Sequence, residues 1–155
     1  GKTVTLQVLA EGFSAAGVPV FALLSDCAPD VRTSYLGIDS RKAGRTAGWL
    51  VRQCAGRPGK VAVIVGSRRF HGHELREIGF RSYFRERAAQ FLVLDAVVNS
   101  ESDAATEEAV LTLIEAHPDL VGIYVAGGGT VYGDRLKKYN ARSPTLIIGH
   151  PPNPL

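Results

Sequence analysis

The residues from Val61 to Phe80 constrain the fold more than any other stretch. Val61-Ala-Val-Ile-Val65 is a short apolar run rich in β-branched side chains, bounded by Gly59 and Gly66. No polar position alternates within it, so it predicts a strand buried on both faces, as in a parallel sheet. The polar loop Ser67-Arg-Arg-Phe-His-Gly-His-Glu-Leu75 follows, and a helix over about Gly72 to Arg87 carries Arg76. Open α/β sheets take small molecules beyond the carboxyl ends of their strands. The densest set of hydrogen-bond donors in the chain therefore lies where such a sheet binds a ligand.

The same alternation runs through the rest of the chain. Val4 to Ala16 predicts a helix, Val18 to Leu24 a buried strand, and Tyr35 to Ile38 a second short strand. Asp39 or Ser40 can cap the next helix, where Ala43, Ala47, Leu50, Val51 and Cys54 fall at helical spacing. Arg57-Pro58-Gly59 ends it. In the helix after Gly72, Leu75, Ile78, Gly79 and Tyr83 or Phe84 are expected inside. Phe91 to Val98 predicts a strand. Asp103 to Ala116 predicts a helix with Ala105, Ala109, Leu113 and Ala116 on one stripe, stopped by His117-Pro118. Val121 to Val125 is a further strand, Gly127 to Gly133 a glycine-rich loop, Thr130 to Tyr139 a short helix and Thr145 to Ile148 the last strand. Strands alternating with helices through short loops predict an α/β fold, a parallel sheet with helices on both faces.

Several function classes drop out. With 45% apolar and 21% charged residues among 155, the composition is that of a folded domain. The longest apolar runs are too short to cross a bilayer, so no membrane role is expected. The formal charge is +3, and basic residues are interleaved with acids, as in Arg85-Glu86-Arg87. That is a solvated helix face, not a nucleic-acid stripe. Cys27 and Cys54 are too few and too far apart for a disulfide framework or a zinc site, and packed, reduced thiols are expected. Trp49 is expected in the core or packed between lobes. There is no G-x-S-x-G elbow, no catalytic Cys–His context and no phosphate-binding loop, so no catalytic residue, cofactor or metal is expected. The missing initiator Met and the stop at Leu155, just after a strand-like run, suggest an incomplete chain.

The ordered set Tyr35-Leu-Gly-Ile-Asp39-Ser-Arg-Lys-Ala-Gly44-Arg-Thr-Ala, Gly59-Lys-Val-Ala-Val-Ile-Val-Gly66 and Arg76-Glu-Ile-Gly79-Phe80 resembles the effector-binding core of the lactose-repressor (LacI) family. That core shares its fold with periplasmic sugar-binding proteins: two Rossmann-like lobes close on a small molecule. The resemblance implies that residues 1–38 end the first lobe, 39–149 form the second, and 150–155 begin a return crossing at His150-Pro-Pro. It implies a cytoplasmic transcriptional regulator that binds a sugar-like effector and pairs as a homodimer. Operator DNA would be read by a helix-turn-helix absent from this chain. The nearest alternative is a periplasmic sugar-binding protein of an ABC transporter. A different class, a nucleotide-dependent enzyme on a doubly wound sheet, would cradle a phosphate on Gly127 to Gly129.

Candidate ligand residues follow. Arg76 offers a planar fork of donors suited to adjacent hydroxyls or a carboxylate, and it matches the family's ligand-contacting arginine. The competing reading is a surface arginine paired with Glu74 or Glu77. Asp39 matches the Asp of a family Asp-Asn pair whose Asn is Ser40 here, and the same side chain serves a helix N-cap. Ser67, Phe70 and His71 occupy the loop before Arg76, where an aromatic can stack on a pyranose face; Phe70 and His71 match ligand-facing family positions. His71-x-His73-Glu74 has two histidines that do not share a helical face, which counts against a metal. Gly127 and Gly128 stand where many family members have Asn-Asp, leaving backbone in place of a carboxylate; a tight βα turn is the plainer reading. His150, at the proposed crossing, faces either the cleft or the protein interior.

Overall fold

The computed structural model describes residues 2–67, 70–128 and 145–149. Its elements are α1 (Lys2–Ala15), β1 (Phe21–Leu23), β2 (Ser34–Leu36), α2 (Ser40–Cys54), β3 (Lys60–Val65), α3 (His71–Arg87), β4 (Leu92–Val93), β5 (Val97–Val98), α4 (Asp103–Ala116), β6 (Leu120–Val125) and β7 (Leu146–Gly149). The helix expected over Thr130 to Tyr139, and His150, lie outside the described residues.

Two parallel sheets form, in the α/β architecture that the alternation predicts. β1 and β2 pair alone, with Phe21 opposite Ser34 and Leu23 opposite Leu36. The larger sheet runs β4-β3-β6-β7, with β5 also on β3. Ile64 is registered to Val97 on one side and to Val125 on the other, and β7 continues the sheet with Ile147 beside Ile123. β3 and β6 are central because their side chains are apolar on both faces: every residue of Val61 to Val65 and of Leu120 to Val125 is buried. α2 and α3 cover one face through Val51, Phe80 and Phe84, which meet Val61, Val63 and Tyr124. α4 covers the other, setting Val110 and Leu113 against Ala62, Ile64 and Ile123.

α2 and α3 cross with their backbones in contact. A Cβ on Gly44 would overlap the carbonyl of Arg76, and one on Gly79 would overlap the carbonyl of Arg41. At Gly48 the Tyr83 ring occupies the space beside the backbone. Glycine is needed here for close approach, not for its dihedral freedom.

Several expectations are corrected. The Val18 to Leu24 strand shrinks to Phe21–Leu23 and is exposed on both flanks of Ala22, because β2 is its one pairing partner. On α2, Cys54 is exposed and Gly44 and Gly48 take inward positions; apolar spacing cannot register a glycine contact. Trp49, expected in the core or packed between lobes, is not in the core: it is 47% exposed. On α3, Ile78 turns outward and Phe80 is fully buried. Phe91 to Val98 divides into β4 and β5, since Arg81 Nη2 donates to the Leu94 carbonyl (2.8 Å) where the strand would have continued. α4 keeps its bounds and buries Leu113 as expected, but Thr106 and Val110 are buried in place of Ala105 and Ala109, and Ala116 is exposed.

Candidate functional site

A cleft of about 690 Å³ opens between the two sheets. One wall carries Ala22, Leu24, Ser25, Asp26, Cys27 and Tyr35; the other carries Ser40, Phe70, His71, Gly72, His73 and Arg76. It sits at the carboxyl ends of β1 and β3, as the sheet rule requires. Its size is ordinary for a small-molecule site.

Arg76 reaches this wall from the second turn of α3. Its Nη1 donates to the Ala126 carbonyl at 2.9 Å, which pins the guanidinium over the end of β6. Its Nε is buried and has no hydrogen-bond partner. Burial pulls its pKa below the usual value, against the attraction of Tyr124, Tyr35 and Glu101. Tyr124 is itself pushed to about 12 by burial, so a neutral phenol lies in the apolar layer close to the cation. The competing surface pairing is gone: Glu77 accepts from Arg81 Nε at 2.8 Å, and Glu74 lies 3.9 Å from His71 Nδ1.

Of the two histidines just before Arg76, His73 is the more deeply placed. Its Nδ1 lies 3.4 Å from Glu101 Oε1 and 3.4 Å from the Ser67 amide. Phe70 packs on its ring at a centroid distance of 5.1 Å. Burial lowers the His73 pKa; Glu101 opposes that shift and Arg76 adds to it. Glu101 comes from the far end of β5, and it and Ser100 have φ of 65° and 53°. Non-glycine residues rarely hold that conformation, and it recurs near binding sites. Leu24, at the end of β1 in the facing wall, shares it at φ 64°.

Asp39 is the N-cap of α2. Its carboxylate accepts from Lys42 N at 2.9 Å, and that bond holds its pKa below the usual carboxylate value. Asp39 does not line the cleft, whereas the buried Ser40 does. Phe70 and His71 line it too. Ser67 stays behind them, its amide directed at His73. Gly127 and Gly128 pack too closely for side chains: a Cβ would overlap the backbone of Gly66 in one case and the Glu101 carboxylate in the other. The Gly128 carbonyl accepts from Asn99 Nδ2 at 2.8 Å. This is the tight turn, with Glu101 supplying a carboxylate beside it from another loop.

The facing wall escaped sequence reasoning. Asp26 is gripped by the fork of Arg32, at 2.5 Å to Nε and 3.1 Å to Nη2. The Tyr35 hydroxyl donates to the carbonyl of Leu24 or Ile38 (3.0 and 3.1 Å). The signal that could have found Asp26 is Ser25-Asp26 directly after a strand. Among the described residues, no three His, Cys, Asp or Glu side chains converge as a metal site. No helix among them is long and apolar enough to cross a membrane.

Residues 3–153 match the family described as periplasmic binding protein domain. The chain belongs to that family. No curated protein shows significant sequence similarity to it. Among solved structures, this periplasmic binding protein domain resembles a solute-binding protein of an ABC transporter from Burkholderia graminis in complex with D-arabinose (TM-score 0.81, 20% identity, 98% of this chain and 54% of that one). It also resembles the sugar-binding protein of a sugar ABC transporter from Bacillus halodurans (0.78, 23%, 95% and 51%). A third is a solute-binding protein of an ABC transporter from Agrobacterium vitis with bound D-fucose (0.77, 21%, 93% and 51%). The chain thus spans about half the length of these proteins. The fold expected from the lactose-repressor resemblance is the one found. The regulator function, operator DNA and dimer that the resemblance implied are not shown by these similarities, which are to ABC-transporter binding proteins.

Proposed function

We propose that this chain is part of a sugar-binding protein that serves an ABC transporter, with a monosaccharide held between the two sheets. The observation that carries the reading is the Arg76 guanidinium, which lines the cleft and is fixed by the bond from its Nη1 to the Ala126 carbonyl. A planar fork of donors held in place at such a wall suits adjacent ring hydroxyls. Phe70 supplies an apolar face for a pyranose, and His71, Ser40 and Asp26 supply polar edges. Sugar ligands in two of the similar structures, and the transporter role of all three, favour this over the regulator reading. A setting outside the cytoplasm is part of this proposal, in contrast to the one expected of a regulator.

The ligand acts by binding the closed arrangement of the walls better than the open one, and shifts the equilibrium by no more than that difference. Calorimetric titration with D-arabinose, D-fucose and other monosaccharides, beside ATP and NAD, tests the proposal. Saturable sugar binding is expected, weakened roughly 10- to 100-fold in Arg76→Ala. Nucleotide binding without sugar binding, or an unchanged affinity in the variant, would overturn it.

A further inference from the structure

A second hollow, of about 390 Å³, shares no residue with the cleft. Arg45, Thr46, Trp49 and Arg52 of α2 line it, with Tyr83 and Arg87 of α3. Trp49 is the chain's one tryptophan, and 47% of it stands in water. The three arginines around it are not equally committed. Arg45 Nη1 bonds Glu86 at 2.8 Å and Ser82 Oγ at 3.0 Å, which ties it to the helix crossing. Arg52 makes a single long contact, 3.4 Å, to the Tyr83 hydroxyl. Arg87 has no ion pair among the described residues, and Glu86 is the one carboxylate that pairs with this group.

Cations near helix C-termini complement the backbone dipole, which accounts for Arg52 and Arg87 on their own helices. It does not account for a large indole held exposed between them. Trp, Tyr and Arg are the side chains that concentrate binding energy at interfaces. A free phosphate would answer the arginines and leave the indole uncovered. An uncharged apolar surface would do the reverse and strand the guanidinium groups.

We infer that this hollow docks an acidic segment of a partner protein, whose aliphatic or aromatic side chain covers Trp49 while flanking carboxylates meet Arg52 and Arg87. The inference does not depend on which sugar fills the cleft. The fluorescence of Trp49 reads the site directly. The full chain is titrated with a blocked peptide bearing a leucine between glutamates, with its glutamine counterpart, and with inorganic phosphate. The glutamate peptide is expected to give a saturable change that fades with salt and is at least several-fold weaker for the glutamine peptide. The double variant Arg52→Gln, Arg87→Gln should weaken it roughly three- to twentyfold, with thermal melting and sugar titration unchanged. Arg45 is left intact because it supports the fold. No response up to millimolar peptide, an equal response to the glutamine peptide, or phosphate alone matching the peptide would each overturn the inference.

Discussion

The two sheets are built from similar apolar sequence and meet opposite fates. In the larger one Ile123 is 0% exposed, whereas in the smaller one Leu23 is 64% exposed. The difference is coverage. β3 and β6 have strand neighbours on both sides and helices on both faces, while among the described residues β1 has β2 alone. Hydrophobicity proposes a strand, but only neighbours bury it. α3, packed on the larger sheet, carries Arg76, and the smaller sheet presents Asp26 and Tyr35 across the cleft.

The sharpest way to break this comparison is to truncate an aromatic on each side. Phe80 is fully buried, stacked on Tyr124 at 5.5 Å and edge-on to Phe84 at 5.0 Å. Phe80→Ala should cost about 3–5 kcal/mol in denaturant unfolding, against less than about 0.5 kcal/mol for the exposed Phe21→Ala. Similar losses at both would mean the smaller sheet is as well packed as the larger. Next comes Asn99, buried behind the cleft, whose Nδ2 reaches Thr106 Oγ1 at 2.5 Å and the Gly128 carbonyl at 2.8 Å. Asn99→Leu should lose about 1–3 kcal/mol, because the buried Thr106 hydroxyl and the half-buried Gly128 carbonyl lose their donor.

The His73–Glu101 pair tests the larger sheet by pH. The folded protein holds the His73 pKa below its free value of 6.5, so it prefers the neutral ring. Its contribution to stability is then present above pH 6.5 and lost as pH falls through the lowered value. Melting curves should drop over that window in the wild type, with a shallower drop in His73→Gln. A parallel drop in the two proteins would contradict the assignment. The smallest effect is expected at Asp39, where Asp39→Ala should remove the α2 cap at a cost of about 1 kcal/mol and Asp39→Asn should retain it. A loss of sugar affinity in Asp39→Asn, with stability kept, would give the carboxylate a ligand role as well.

Legibility in the sequence followed the same divide. β3 was plain because an uninterrupted β-branched run has one reading in an α/β chain. α4 was legible with its bounds and with Leu113 inside, yet Thr106 and Val110 are buried where Ala105 and Ala109 were expected. Alanine marks no face, and the Thr106 hydroxyl is made burial-compatible by bonds to Ser102 and Asn99 that spacing does not reveal. Gly44, Gly48 and Gly79 carry the helix contact without any apolar side chain. At the site, Arg76, Phe70 and His71 were found because they are consecutive with a strand end. The partnership of His73 with Glu101, 28 residues away, exists only through the topology that brings β5 beside β3.

The backbone contact at Gly44 and Gly79 has a mechanical consequence. α2 starts at Ser40, immediately beyond the link from β2, and it touches α3 at the very residue that bears the guanidinium. A pivot near Ile38 and Asp39 would therefore swing both helices as one lever. In such a swing the bearing of Arg76 on its own sheet would stay constant and the gap to Asp26 would change, with no side-chain rotation needed at position 76.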